Sequence, residues 1–195
     1  MNKAGLVAVA LFAFPMLAWG QAADADPRDQ WWENLTALCG QAFSGRMTHF
    51  SRPADETWLD KEVVIHVRKC SEHEIHIPLH VGENRSRTWV LARTDSGFRL
   101  KHDHRHEDGS EDDVTWYGGH STDPGRASRQ TFPVDDYSKA LFLAHGLEAS
   151  VGNFWTMEVH EDKFAYELVR AGRVFRAEFD LANPVEPPPP AWGHE

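Results

Sequence analysis

Apolar and polar residues alternate with period two over long stretches of this chain. Val63, Ile65 and Val67 alternate with Val64, His66 and Arg68. Ile75, Ile77, Leu79 and Val81 alternate with Glu74, His76, Pro78 and His80. Phe164, Tyr166 and Leu168 share one parity, as do Phe175, Ala177, Phe179 and Leu181. Successive strand residues point to opposite faces, so this pattern predicts strands with one face in a core. Asp95-Ser96-Gly97, Asp108-Gly109, Gly118-Gly119 and Ala171-Gly172 read as turns between them. The runs place about ten strands near 43–50, 62–70, 74–82, 87–94, 97–107, 111–118, 126–132, 147–160, 163–170 and 173–181.

Two helices interrupt the alternation. Trp31, Trp32, Leu35, Leu38 and Cys39 fall at helical spacing between Pro27 and Gln41, with Gly40 as a stop. At least one of the two tryptophans is expected to plug the sheet, because a large ring gains most by burial. The second helix runs from Tyr137 to His145, capped by Asp135 or Asp136 and ended by Gly146. After residue 182, Pro187-Pro188-Pro189-Pro190 cannot continue a sheet and predicts an extended polyproline arm.

Consecutive antiparallel strands with short turns form a meander, and a long meander removes its free edges by closing. The expected fold is therefore all-β: a closed antiparallel barrel of about eight to ten strands, with an N-terminal helix and one short internal helix. An open sandwich is the rival. By pattern the barrel resembles the calycin group of lipocalins and fatty-acid-binding proteins, although the lipocalin G-x-W signature is not cleanly present.

The first residues change the picture of where the chain works. Lys3 precedes an apolar run from Ala4 to Ala18, then small residues. That order is a cleavable secretory signal. The run has roughly 15 residues, short of the ~20 that span a bilayer. Ala18-Trp19-Gly20 and Gly20-Gln21-Ala22 are the two cleavage sites that fit, and neither carries a lipobox cysteine. The expected division is a signal peptide at 1–22, one domain at 23–182 and a Pro-rich tail at 183–195. A periplasmic or secreted location follows, with no membrane span after cleavage. In an oxidising compartment Cys39 and Cys70 are expected to pair. Their loop of about 32 residues would contribute on the order of 3–4 kcal/mol. The formal charge is −10. An acidic chain gains nothing from phosphate counterion release, which argues against nucleic acid as a partner.

Chemistry concentrates between Gly97 and Val114. In a strand, Phe98, Leu100, His102, His104 and His106 share a face, and the apolar pair turns that face inward. A two-residue turn at Asp108-Gly109 would set His106 opposite Glu111, His104 opposite Asp113 and His102 opposite Thr115. Three readings follow. His104 and His106, with His102 or Glu111, can approach a zinc ion, whose N ligands sit about 2.1 Å away. His102, His104 and His106 with Glu111 and Asp113 can instead grip the polar end of a ligand held in the barrel. The third reading is a histidine–carboxylate network that only satisfies buried polar groups. The spacing His104-x-His106-x4-Glu111-x6-Gly118 partly fits the first cupin motif, but the second cupin motif is not found downstream.

Arg85, Arg87 and Arg93 flank Trp89 and can hold a carboxylate or phosphate. The chain has no G-x-S-x-G, H-E-x-x-H, P-loop or C-x-x-C, so no reaction is signalled. Over Cys70–Leu91, centred on Ile75-His76-Ile77-Pro78-Leu79-His80, and over Leu100–Asp112, with His102-Asp103-His104-Arg105-His106, the chain resembles a family of exported bacterial proteins of uncharacterised activity. That resemblance implies a bacterial periplasmic or secreted setting and assigns no functional residue. The functional expectation is an exported barrel that binds a small or amphipathic ligand. The alternatives are a periplasmic zinc-binding protein and a non-enzymatic envelope interaction protein.

Overall fold

The computed structural model describes Met1 and residues 25–194. The expected signal peptide, 1–22, lies outside the described residues apart from Met1. Helix α1 (Pro27–Thr36) opens the domain, with the Asp26 carboxylate accepting from the Arg28 backbone N–H and Pro27 in the first turn. The strands are β1 (Ala42–Phe50), β2 (Val63–His66), β3 (Lys69–Cys70), β4 (Glu74–Val81), β5 (Asn84–Thr94) and β6 (Gly97–His104). There follow β7 (Tyr117–His120), β8 (Arg129–Pro133), helix α2 (Asp136–Ala144), β9 (Phe154–Val159), β10 (Lys163–Arg170) and β11 (Arg173–Val185). A 3-10 segment, Pro53–Trp58, follows β1.

All pairings are antiparallel, in the order β7-β6-β5-β4-β2-β1-β11-β10-β9-β8, and β3 adds to β4. Neighbours along this path follow one another in sequence, apart from the pair β1 and β11 and the pair β2 and β4, between which the short β3 intervenes. The fold is thus an up-and-down meander nearly closed into a barrel. The seam lies between β7 and β8, where a Gly119–Val134 bridge and an Asp135 N–H to Gly118 O bond of 3.0 Å draw the edges together.

The seam explains a correction. Gly118-Gly119 reads as a turn in the sequence but lies inside β7. A Cβ at Gly118 would sit 1.9 Å from the Leu100 carbonyl oxygen, and one at Gly119 1.8 Å from that of Pro133. Two strands crowd this one, so only glycine fits. The expected strand at 147–160 also shortens: Glu148–Gly152 forms a 3-10 turn and β9 starts at Phe154.

The barrel is filled along its length. Trp89, Leu91, Phe98, Leu100, Phe132, Trp155, Met157, Phe164 and Phe179 are among its fully buried side chains. Trp89 lies 4.4 Å from Tyr166, ring to ring, and 6.0 Å from Phe164. Helix α1 closes the end where β6 begins, with Trp31 and Trp32 packed on Phe98. The other end, where β6 finishes, is topped by the 3-10 segment through Trp58, which packs on Phe175. Cys39, just past α1, is bonded to Cys70 of β3. Among the described residues no helix is long and apolar enough to cross a membrane.

Candidate functional site

The register of β5 and β6 builds the inner wall. Arg87 faces His104, Trp89 faces His102, and Leu91 faces Leu100. The wall passes from apolar in the middle to polar at the end topped by Trp58. That end is the mouth of the barrel.

His102 is 4% exposed and fully bonded. Its Nδ1 donates to the Tyr117 carbonyl at 3.1 Å, so Nε2 is free to accept. The Tyr166 hydroxyl donates to that Nε2 at 2.8 Å. The ring also stacks on Tyr117 at 4.6 Å. Burial, and next the nearby His104, hold the imidazole neutral down to about 3. His102 thus satisfies the buried polar groups of the lumen.

His104 stands one step nearer the mouth and is half-buried. Its backbone N–H donates to Thr115 Oγ1 at 2.8 Å, and its Nε2 lies 3.1 Å from the Tyr117 hydroxyl. Burial and the Arg87 guanidinium lower its pKa to about 4. Burial raises the Tyr117 hydroxyl to about 12, and Arg87 and Arg173 oppose that rise. Both arginines also contact the 3-10 segment that tops this end. Arg173 is paired with the buried Asp55 at 2.5 Å. Arg87 lies 5.4 Å over the Trp58 ring and donates to Asn84 Oδ1 at 3.0 Å and Ser86 Oγ at 3.3 Å. Among the described residues no carboxylate pairs with it.

The tip beyond His104 departs from the expected hairpin. Strand β6 stops at His104. Gly109, at φ 84°, and the Asp108 carboxylate, which accepts from Ser110 N–H at 2.9 Å, support a three-residue loop in place of a two-residue turn. His106 N–H then bonds to Ser110 O, and Arg105 pairs with Glu111. One added loop residue shifts the register by one. His106, Glu111 and Asp113 are all exposed. Glu111 accepts from Arg105 at 3.3 Å and from the Trp116 indole at 2.9 Å. His102 pairs with Tyr117 where Thr115 was expected. Among the described residues no group of three or more His, Cys, Asp or Glu is placed to hold a metal ion. The structure thus separates His106, Glu111 and Asp113 from His102 and His104. It adds Arg87, Tyr117 and Trp58 to the site. Arg87 was visible beside Trp89, whereas Tyr117 carried no signal beyond its place before Gly118-Gly119.

The depressed histidines make stability depend on pH. Burial also lowers His80, on the outer wall, to about 4. A histidine whose folded pKa lies below its unfolded value binds fewer protons when folded. Its contribution is complete above the unfolded value near 6.5 and is lost as pH falls toward the folded value. His80, His102 and His104 place that window between 6.5 and about 4. Each costs about 1–2 kcal/mol by pH 5. The lowered carboxylates Asp103, Asp135 and Glu158 act below the ordinary carboxylate range and leave the upper window to the histidines. Urea unfolding at pH 7 and pH 5 checks this. The midpoint should fall at pH 5, and His104→Gln should shrink the fall. Equal midpoints would refute neutral buried histidines.

No protein family, curated protein or solved structure matches the chain.

Proposed function

We propose that this chain is an exported binding protein that holds the anionic end of a small molecule at the mouth of its barrel. The Cys39–Cys70 bond and the apolar run after Lys3 support an oxidising periplasmic or extracellular location. One observation carries the ligand class. Arg87 projects from the inner wall, half-buried and without a carboxylate partner among the described residues, in a chain of net charge −10. A guanidinium offers a planar fork of donors that a carboxylate matches. His104 is neutral beside it and the Tyr117 hydroxyl is protonated at any ordinary pH, so both can add hydrogen bonds without adding charge. Trp58 and Phe175 supply an aromatic rim for an apolar body. The lumen beyond is occupied by Trp89 and Tyr166, which supports a ligand held at the rim and not deep inside.

Calorimetry with aryl carboxylates and their methyl esters tests the reading. Acids should bind and esters should not. Arg87→Gln should weaken binding tenfold to a hundredfold, the size of a lost hydrogen bond to a charged group. Esters that bind as well as acids, or an Arg87→Gln protein that binds like wild type, would refute it.

A further inference from the structure

We infer a second anion site, for a phosphate-type dianion, on the outer wall of the barrel, where Arg68, Lys69, His76, Thr88 and His194 line a groove of about 440 Å3. Residue parity separates the two sites. Arg87 and Thr88 are consecutive on β5, so their side chains leave opposite faces. Arg87 points to the mouth, and Thr88 is the floor of the groove.

Local structure assembles the groove. Between β2 and β3 the chain leaves the ladder, because Val67 exchanges backbone bonds with the turn after α1 at Gly40 and Gln41. That break presents Arg68 and Lys69 beside His76, which pairs with Lys69 across β3 and β4. The tail forms the opposite wall. Ala191 is 1% exposed, and Trp192 N–H bonds to Arg85 O at 3.1 Å. The Arg68 guanidinium donates to the His194 carbonyl, and His194 Nε2 lies 2.7 Å from Asp103 Oδ2. Thr88 sits between Pro78 of β4 and Asp103 of β6.

Two independent observations point to a ligand. First, the carboxylates at the groove are committed. Glu74 holds His76 at 2.6 Å, while Asp103 is held by Arg105 at 3.0 Å and by His194. Arg68 and Lys69 have no carboxylate partner among the described residues, so two positive charges face the groove unbalanced. Second, the Thr88 side chain is 1% exposed, and its hydroxyl has no hydrogen-bond partner. A buried hydroxyl of that kind is costly unless something bonds to it. An oxyanion accepts from Thr88 and takes charge from Arg68 and Lys69 together. The donors come from two separate segments, Arg68-Lys69 and Thr88 of β5, and two positive charges with a hydroxyl suit a dianionic phosphate better than a singly charged carboxylate.

The test uses the purified protein at pH 7 and constant ionic strength, titrated with inorganic phosphate and, separately, acetate. Binding is followed by calorimetry and by amide NMR shifts. Phosphate should bind saturably and shift the amides of Arg68, Lys69 and Thr88, with acetate clearly weaker. Lys69→Ala and Thr88→Val should each weaken phosphate about tenfold. Thr88→Val conserves shape, and an unchanged melting temperature shows that the fold is intact. Arg87→Gln should leave phosphate binding at these amides unchanged. The inference is overturned by any of three results: no saturable shift at those amides, wild-type affinity in both variants, or acetate binding as tight as phosphate. Phosphate shifts confined to Arg87 and His104 would also overturn it, while leaving the mouth site standing. Failure of aryl carboxylates to bind would remove the mouth site and leave this one.

Discussion

Trp31→Ala lowers the unfolding free energy by about 3–5 kcal/mol, the range for a large aromatic side chain removed from a core. Trp31 is fully buried and is the residue through which α1 closes the barrel. Its ring centroid lies 4.9 Å from Phe98 of β6 and 6.4 Å from Phe132 of β8. Trp32 adds a near-parallel stack on Phe98 at 5.5 Å. Removing Trp31 opens a void among residues from strands that are far apart in the barrel, and no single element can move to fill it. Trp31→Phe should cost much less, because it keeps an aromatic ring and removes an indole N–H that has no partner. Urea denaturation of the three proteins checks both values. A Trp31→Ala protein within about 1 kcal/mol of wild type would mean that α1 rests on the barrel without plugging it.

Removing the disulfide costs about 3–4 kcal/mol. Cys39 and Cys70 are 31 residues apart in sequence, with Cα atoms 6.3 Å apart. The closed loop contains β1, the 3-10 segment and β2, so the bond restricts a long piece of the unfolded chain. It also fixes the exit of α1 to β3. The double variant Cys39→Ala/Cys70→Ala should therefore unfold at lower urea concentration than wild type, and reductant should not change it further. Because Trp31 and the disulfide both hold α1, the triple variant should lose less than the sum of the separate losses. Full additivity would mean that the two act on independent parts of the structure.

The barrel was legible because alternation is a local signal. β10 was expected at 163–170 and is found there, and β11 starts at Arg173 as expected. What escaped depends on contacts between distant segments. Gly118-Gly119 carries the composition of a turn, yet these glycines stand in a strand because β6 and β8 crowd it from both sides. The His-strand hairpin was right in kind but wrong by one residue at its tip and by two at His102, which pairs with Tyr117. The choice between a two- and a three-residue loop rests on Gly109 and Asp108, whose sequence suits both. That single residue moves Glu111 from His106 to Arg105. The mouth draws Trp58, Arg87, His104 and Tyr117 from four separate segments, and no spacing rule connects them. The Pro-rich tail was expected as an extended arm. Pro187, Pro189 and Pro190 are exposed, but Ala191 and His194 dock it back on the barrel wall through partners that only the fold brings near.

The central claim is that a filled barrel grips an anion at its mouth through Arg87. The most direct measurement is a crystal structure of the protein grown with phenylacetate. The account predicts the carboxylate against the Arg87 guanidinium, within hydrogen-bond reach of His104 or Tyr117, with Trp89 and Tyr166 still stacked below. A ligand seated deep in the lumen with those rings displaced, or a mouth left empty at saturating phenylacetate, would contradict it.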